Sequence, residues 1–239
     1  MEKYFEDPDS ITLEEMETTI REATLSRKVE PVLCGSSFKN KGVQRVIDAI
    51  MKYLPSPLDM PAIEGINPKN EEKVTRKADV NEPFAALAFK IATDPYIGKL
   101  TFIKIYSGKI EAGASIYNVT SGKKERAAKI LQMHSNKQQQ LESATAGNIV
   151  ALVGMKDIHT GDSLTDEHHP VILENIVFPE PVIQIAIEPK TKDEEEKLMN
   201  ALTKLADEDP TFQVKEDSES GQTLISGMGE LHLRSCWID

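Results

Sequence analysis

Apolar residues near the start of the chain are spaced as a helix, a strand and a second helix. A capping-box pattern at Thr12–Glu15 opens an apolar stripe of helical period over Leu13–Ala23, which predicts a helix. The short apolar run Pro31–Cys34 predicts a buried parallel strand, with Cys34 as a small core residue. The apolar residues of Val43–Leu54 fall on one face and predict the second helix. This order predicts part of an α/β domain in residues 1–60.

The pattern changes twice in the middle of the chain. Residues 61–83 are polar and charged, and predict a linker. Residues 84–175 contain short apolar runs at turn-bounded intervals, which predict a small antiparallel β-barrel. Five glycines punctuate these runs, and these are Gly108, Gly113, Gly122, Gly147 and Gly161.

Residues 176–239 predict a third unit. Val182–Ile187 alternate as a strand, a helical stripe runs over Leu198–Leu205, and strand patterns follow at 212–214 and 223–225. Strand, helix, strand, strand is the beginning of a ferredoxin-like unit. Too few residues remain for its second helix and fourth strand, so we expect a truncated domain and, for the whole chain, a multi-domain α+β fold.

Composition limits the partners of this chain. Of its 239 residues, 39% are hydrophobic and 28% charged, and the net charge is −11. An acidic protein is a poor general binder of nucleic acid, because phosphate contacts need lysine and arginine. Residues 84–175 are the exception, with 10 Lys/Arg against 9 Asp/Glu.

No apolar run reaches the roughly 20 residues of a membrane span. Two widely separated cysteines favour a reducing cytosol, so we expect a cytoplasmic protein with no membrane contact.

Sequence motifs for nucleotide hydrolysis and for metal binding are missing. Neither the phosphate-binding pattern GxxxxGK[ST] nor the guanine-recognition pattern NKxD occurs in the chain. The histidines at positions 134, 159, 168 and 169 lack the spacing of metal ligands. We therefore predict no catalytic residue, no metal site and no cofactor for this chain, which we do not expect to be an enzyme by itself.

Three pairs of stretches resemble one protein family, in the family's own order. They are Pro31–Gln44 with Tyr53–Pro57, Asp94–Phe102 with Tyr106–Gly108, and Glu208–Phe212 with Ser226–Leu233. In turn they resemble the close of the GTPase domain, the barrel domain and the third domain of bacterial elongation factor G. This family consists of translational GTPases that use GTP and Mg²⁺.

The resemblance implies an internal piece of such a factor. Residues 1–60 would be the remnant of a P-loop GTPase domain, 84–175 the barrel, and 176–239 a truncated ferredoxin-like third domain. The chain departs from the family at Ser37, where alanine is usual, and at Asn148, where aspartate is usual. After Leu233 the resemblance stops, and Arg234–Asp239 looks like an unrelated tail.

The first site that the resemblance implies is a loop that approaches guanine through backbone N–H groups. Its residues here are Gly35, Ser36, Ser37 and Phe38. Small residues permit this close approach. A tight strand-to-helix turn that binds nothing is the alternative, and without phosphate and Mg²⁺ ligands we expect negligible nucleotide affinity.

The second implied site is a basic run in the barrel, formed by Lys123, Lys124, Arg126 and Lys129. In the family this domain contacts ribosomal RNA, and lysine and arginine side chains bind phosphate. A solvated hairpin without a partner is the alternative.

The third implied site is a turn that in the family faces the GTPase switch regions and the small ribosomal subunit, and borders the fusidic acid pocket. Its residues here are Gly227, Met228, Gly229, Glu230 and His232. The alternative is that the glycines simply end a strand and that His232 only packs at the start of a helix.

The function implied for the intact parent is GTP-dependent ribosomal translocation. This chain would supply surfaces that contact the small-subunit RNA and protein and the other domains, without hydrolysing GTP. Two other functions stay open at this point, an autonomous GTPase and a free-standing β-barrel adaptor for a protein partner. Apolar faces left open at the truncated ends also predict self-association.

Overall fold

A computed structural model describes residues 2–135, 137–173, 176–189, 191–217 and 221–235. The chain forms two compact units, Met1–Met60 and Pro61–Asp239. They are described separately below. Positions 236–239 of the predicted tail, including Cys236, lie outside the described residues.

The first unit is helical. Helices α1 (Glu2–Glu6), α2 (Leu13–Leu25) and α3 (Val43–Tyr53) are joined by a 3₁₀ turn at Pro8–Ser10 and by irregular segments. The capping box at the start of α2 is confirmed. The N–H of Thr12 donates to Glu15 Oε2 at 2.9 Å, and the N–H of Glu15 donates to Thr12 Oγ1 at 3.3 Å.

The predicted strand at Pro31–Cys34 is wrong. No β-ladder forms there, the side chain of Val32 is 88% exposed, and Cys34 is exposed rather than in a core. A parallel strand needs a neighbour for its N–H and C=O groups, and among the described residues of this unit none is offered. An apolar run alone does not make a strand.

The second unit begins with a hairpin and continues into a large antiparallel sheet. Strands β1 (Ile63–Ile66) and β2 (Lys73–Arg76) pair with each other inside the segment that the sequence predicts as a linker. The sheet strands that follow are β3 (Ala85–Asp94), β4 (Gly98–Ser107), β5 (Lys109–Glu111), β6 (Ser115–Asn118), β7 (Lys123–Arg126), β8 (Lys129–His134), β9 (Lys137–Leu141), β10 (Ser143–Thr145), β11 (Ile149–Val153) and β12 (Ser163–Thr165).

The main sheet has the order β7-β6-β12-β3-β4-β11-β8-β9, and β5 pairs separately with β10. It surrounds a core of aliphatic side chains that includes Ile103, Ile130 and Leu152. The sheet is barrel-like, but its hydrogen-bonded strands do not close into a ring. Instead, Ala127 and Ala128 connect β7 directly to β8, and their N–H groups donate to the carbonyls of Ala114 and Val153 at 3.1 and 2.9 Å.

The last part of the second unit, which the sequence predicts as a third domain, contains β13 (Ile183–Ile187), α4 (Lys192–Glu208), β14 (Gln213–Glu216), β15 (Thr223–Gly227) and α5 (Glu230–Ser235). Its antiparallel sheet has the order β13-β15-β14, as the first, third and second strands of a ferredoxin-like unit require. The core consists of Leu202, Phe212, Ile225 and Leu233. The predicted α+β fold class is confirmed.

Among the described residues, no helix is both long and apolar enough to cross a membrane.

Candidate functional site

The two sequence stretches that resemble the third domain meet at one side chain, His232. Its Nε2 lies 3.0 Å from Oδ2 of Asp209, which ends helix α4. Its Nδ1 lies 3.0 Å from the backbone nitrogen of Met228, in the turn between β15 and α5. The ring also packs edge-on to Phe212, at 6.3 Å between centroids. One imidazole therefore joins the glycine turn to the start of β14.

Asp209 is held as a carboxylate. Burial raises the pKa of this carboxyl group, but hydrogen bonds from Thr211 and His232 outweigh burial, and the pKa lies below its usual value. Oδ1 accepts from both the N–H and the hydroxyl of Thr211, at 2.8 and 2.7 Å. Oδ2 is then the oxygen directed at His232.

The turn from Gly227 to Glu230 is closely packed at Gly227 and open to solvent at Gly229. A Cβ at Gly227 would lie 2.6 Å from Cδ2 of Leu233, whereas nothing lies within 4 Å of a Cβ at Gly229. Met228 is partly exposed, and Glu230 forms an ion pair with Arg234 at 2.7 Å on the exposed side of α5. The turn thus presents a backbone segment to solvent while Leu233 anchors it below.

A cleft of about 370 Å³ lies between this region and the large sheet. Its lining residues are Lys90, Ile91, Leu205, Glu208, Asp209, Pro210, Phe212, His232 and Ser235. Beside it, Lys99 Nζ donates to the carbonyl of Lys156 and to Asp207 Oδ2, each at 3.1 Å. Sequence reasoning missed Lys99 and Asp207, since 108 positions separate them and neither stands in a spacing motif.

The basic run occupies β7 and the first residue of β8, and it is partly neutralised. Lys123 pairs with Asp157 and Lys124 with Glu167, both at 2.7 Å. The hydrogen bond to Asp157 raises the pKa of Lys123. The Nε of Arg126 donates to the carbonyl of Gly113 at 3.1 Å. Exposed ion pairs of this kind are weak, so they hold these lysine side chains only loosely.

Lys129 differs from the two paired lysines of the run. It is exposed and has no ion-pair partner among the described residues. Its charge, like that of Arg126, is not neutralised by a described carboxylate.

The candidate guanine loop is a tight turn. Ser36 and Lys41 exchange both backbone hydrogen bonds, at 2.9 and 3.0 Å, and the N–H of Asn40 donates to the carbonyl of Ser37 at 3.0 Å. The side chain of Phe38 is 99% exposed at the tip. A Cβ at Gly35 would lie 2.9 Å from the carbonyl oxygen of Lys41, which accounts for glycine there. This geometry fits both alternatives: a turn that binds no ligand, and a loop that presents its backbone N–H groups to a guanine base.

No group of three or more His, Cys, Asp or Glu side chains that could hold a metal ion occurs in the part of the chain that the structure describes. His169 instead forms a local pair with Asp166 at 3.0 Å.

Comparisons with known proteins place most of the chain in one family. Residues 83–167 match the family described as "Elongation factor G domain 2", and residues 178–236 match "Elongation Factor G, domain III". The chain is 58% identical over 233 residues to elongation factor G of Amoebophilus asiaticus (strain 5a2). That alignment covers 98% of this chain and 33% of the relative, so the chain spans about a third of the relative's length.

The fold also resembles a solved structure. A crystal structure of a protein from Thermus thermophilus superposes with a TM-score of 0.72 at 25% identity, and covers 98% of this chain and 33% of that one.

Proposed function

Residues 83–167 and 178–236 belong to the elongation factor G family, and from this premise we propose that the chain works in GTP-dependent translocation on the ribosome. It supplies the barrel and third-domain surfaces of a longer cytoplasmic factor, and the hydrolytic centre lies in the rest of that factor. The observation that carries the proposal is the 58% identity to an elongation factor G over 98% of the chain.

The barrel surface supplies an RNA contact. Lys123, Lys124, Arg126 and Lys129 lie on two successive strands, in the region where basic residues outnumber acidic ones. Phosphate binding releases counterions, and replacement of Asp157 and Glu167 by phosphate frees two further lysine charges for the RNA. Binding to the small subunit is therefore weak and strongly dependent on salt.

The turn Ser36–Lys41 and the turn at Gly227–His232 serve other domains of the factor. The first presents backbone groups of Ser37 and Phe38 to a guanine base whose phosphates and Mg²⁺ are bound elsewhere. The second faces the nucleotide-sensing segments of the GTPase domain and the small subunit. Neither loop contains a phosphate-binding motif or a set of Mg²⁺ ligands, so we expect neither to bind a nucleotide alone.

Cosedimentation of the chain with small ribosomal subunits at two salt concentrations tests the proposal. We expect binding at low salt that falls about tenfold or more when salt is raised from roughly 50 to 200 mM. Lys129→Glu should weaken binding, because this lysine has no carboxylate partner among the described residues.

Lys109→Glu is the matched control. It makes the same charge change on an exposed barrel strand, but Lys109 pairs with Glu111 and lies outside the basic run. Equal loss in both variants would mean that only net charge matters. The absence of any binding at low salt, or specific capture of a non-ribosomal protein instead, would contradict the proposed function.

A further inference from the structure

His232 has both ring nitrogens engaged, and the two partners fix its chemical form. The backbone N–H of Met228 can only donate, so Nδ1 at 3.0 Å must carry a lone pair. The carboxylate of Asp209 can only accept, so Nε2 at 3.0 Å must carry the proton. The geometry therefore selects the neutral Nε2–H tautomer.

We propose that His232 is a positioning residue whose Nε2–H tautomer clamps the Gly227–Gly229 turn to Asp209. The clamp links two loops that are distant in sequence, one at the end of α4 and one between β15 and α5. Its existence is independent of the ribosomal role proposed above. If that role holds, the clamp sets the direction in which the turn faces the GTPase domain.

The surroundings of the ring explain why the clamp holds. The side chain of His232 is 22% exposed and rests against Phe212, which belongs to the domain core. Asp209 cannot rotate freely because Thr211 holds its other oxygen with two hydrogen bonds. Met228 cannot move away freely because Leu233 packs beneath Gly227. The two groups that contact the ring nitrogens are thus also held by other contacts.

Protonation of the ring would break one half of the clamp. A second proton on Nδ1 would point at the N–H of Met228, so two donors would face each other at 3.0 Å. Charged groups near the ring in the described part of the chain include Asp209, Glu208 and Lys90 in the cleft, and Glu230 and Arg234, which pair with each other on α5. Asp209 is in direct contact with the ring, and its bond to Nε2 would survive protonation.

Two isosteric substitutions separate the two bonds. In His232→Asn, the side-chain oxygen can occupy the position of Nδ1 and accept from Met228, but nothing reaches Asp209. In His232→Gln, the terminal amide can reach Asp209 but leaves the N–H of Met228 without its acceptor. His169→Gln removes a similar exposed pair with Asp166 and is the control.

Nuclear magnetic resonance on the 239-residue chain tests the clamp. Ring ¹⁵N shifts of His232 should report a bare Nδ1 and a protonated Nε2 at neutral pH. Amide exchange at Met228 should be about fivefold faster in His232→Gln, and unchanged in His232→Asn and His169→Gln.

Two results would overturn the clamp: a protonated Nδ1 in the wild-type chain at neutral pH, or equal exchange at Met228 in the wild type and His232→Gln. The amides of Ile185 and Ile225 in the paired strands β13 and β15 report whether the domain is folded. If a substitution unfolds the domain, the ring shifts of the wild-type chain decide alone.

Discussion

Nζ of Lys99 lies 3.1 Å from Oδ2 of Asp207, so a strand of the barrel is tied by charge to the helix of the third domain. The same ammonium group donates to the carbonyl of Lys156, in the loop that follows β11. Three separate segments therefore share one cation. A charge that has two fixed acceptors and is mostly shielded from water contributes more than an ordinary surface ion pair.

We expect Lys99→Met to lower the free energy of unfolding by about 1 kcal/mol, because the substitution keeps the apolar stem and removes both hydrogen bonds. Lys109→Met is the matched control, since that pair with Glu111 is exposed and should contribute less than about 0.5 kcal/mol. Urea denaturation of the two variants measures the difference. Equal effects would mean that Lys99 acts as an ordinary surface residue.

The carboxyl group of Asp59 should titrate at unusually low pH. Hydrogen bonds from Ser56, followed by the guanidinium of Arg21, lower its pKa from 3.8 to about 2. Because the folded pKa lies below the unfolded one, the stabilisation is present above about pH 4 and is lost as pH falls towards 2.

A carboxyl ¹³C titration of the chain measures this pKa. Arg21→Gln should raise it part of the way, since the bond from Ser56 remains. Arg45→Gln removes a charge from helix α3 without touching this contact, and should leave the titration unchanged. A midpoint near 3.8 in the wild type would contradict the contact.

The two glycines of the third-domain turn should respond differently to alanine. Gly227→Ala would force a methyl group to within 2.6 Å of Leu233 Cδ2, and overpacking of this kind costs about 1–3 kcal/mol. Gly229→Ala meets open space and should change stability by less than about 0.5 kcal/mol. Thermal unfolding followed by circular dichroism compares them, and similar loss in both would refute the packing argument.

Hydrogen exchange should protect the barrel strands longest. Their core contains fully buried side chains such as Ile103 and Leu152, whereas Ala49 is the single buried residue among the described side chains of Met1–Met60. A region with few buried contacts opens at a lower free energy. Stronger protection of helix α3 than of β4 would contradict this expectation.

Local pattern was enough for helices α2, α3 and α4 and for the three strands of the third domain, but not for α1 or α5. Helices α2 and α3 and the order of elements in the third domain follow from periodicity and capping, because these features depend on neighbours within a few positions. The glycine turns were also visible. Gly108 has φ of 71°, and a Cβ there would lie 2.6 Å from the carbonyl oxygen of Glu82, so no other residue fits.

Features that depend on distant partners were not visible. The run Pro31–Cys34 has the composition of a buried strand, but composition does not supply a neighbour to pair with. The hairpin β1–β2 looks polar because only one of its faces, through Ile63 and Val74, packs against the segment around Val171.

Sequence reasoning found some residues of the candidate site and missed others for the same reason. His232 could be singled out through its stretch of sequence, but its partner could not. Asp209 lies on another element, and nothing in the spacing pairs the two. The assignments of the guanine loop and of the basic run to their ligands stay predictions.

The strand order of the third domain has a consequence during synthesis on the ribosome. Strand β15 lies in the middle of its sheet, between β13 and β14, yet it is the last of the three to be made. After β13 is complete, residues 188–222 must be added before its partner begins, a wait of about 2–7 s at common rates of synthesis. During that interval β13 and helix α4 lack the central strand that completes their shared apolar core. We expect nascent chains arrested before residue 223 to be captured by chaperones, and chains arrested well beyond residue 233 to resist protease.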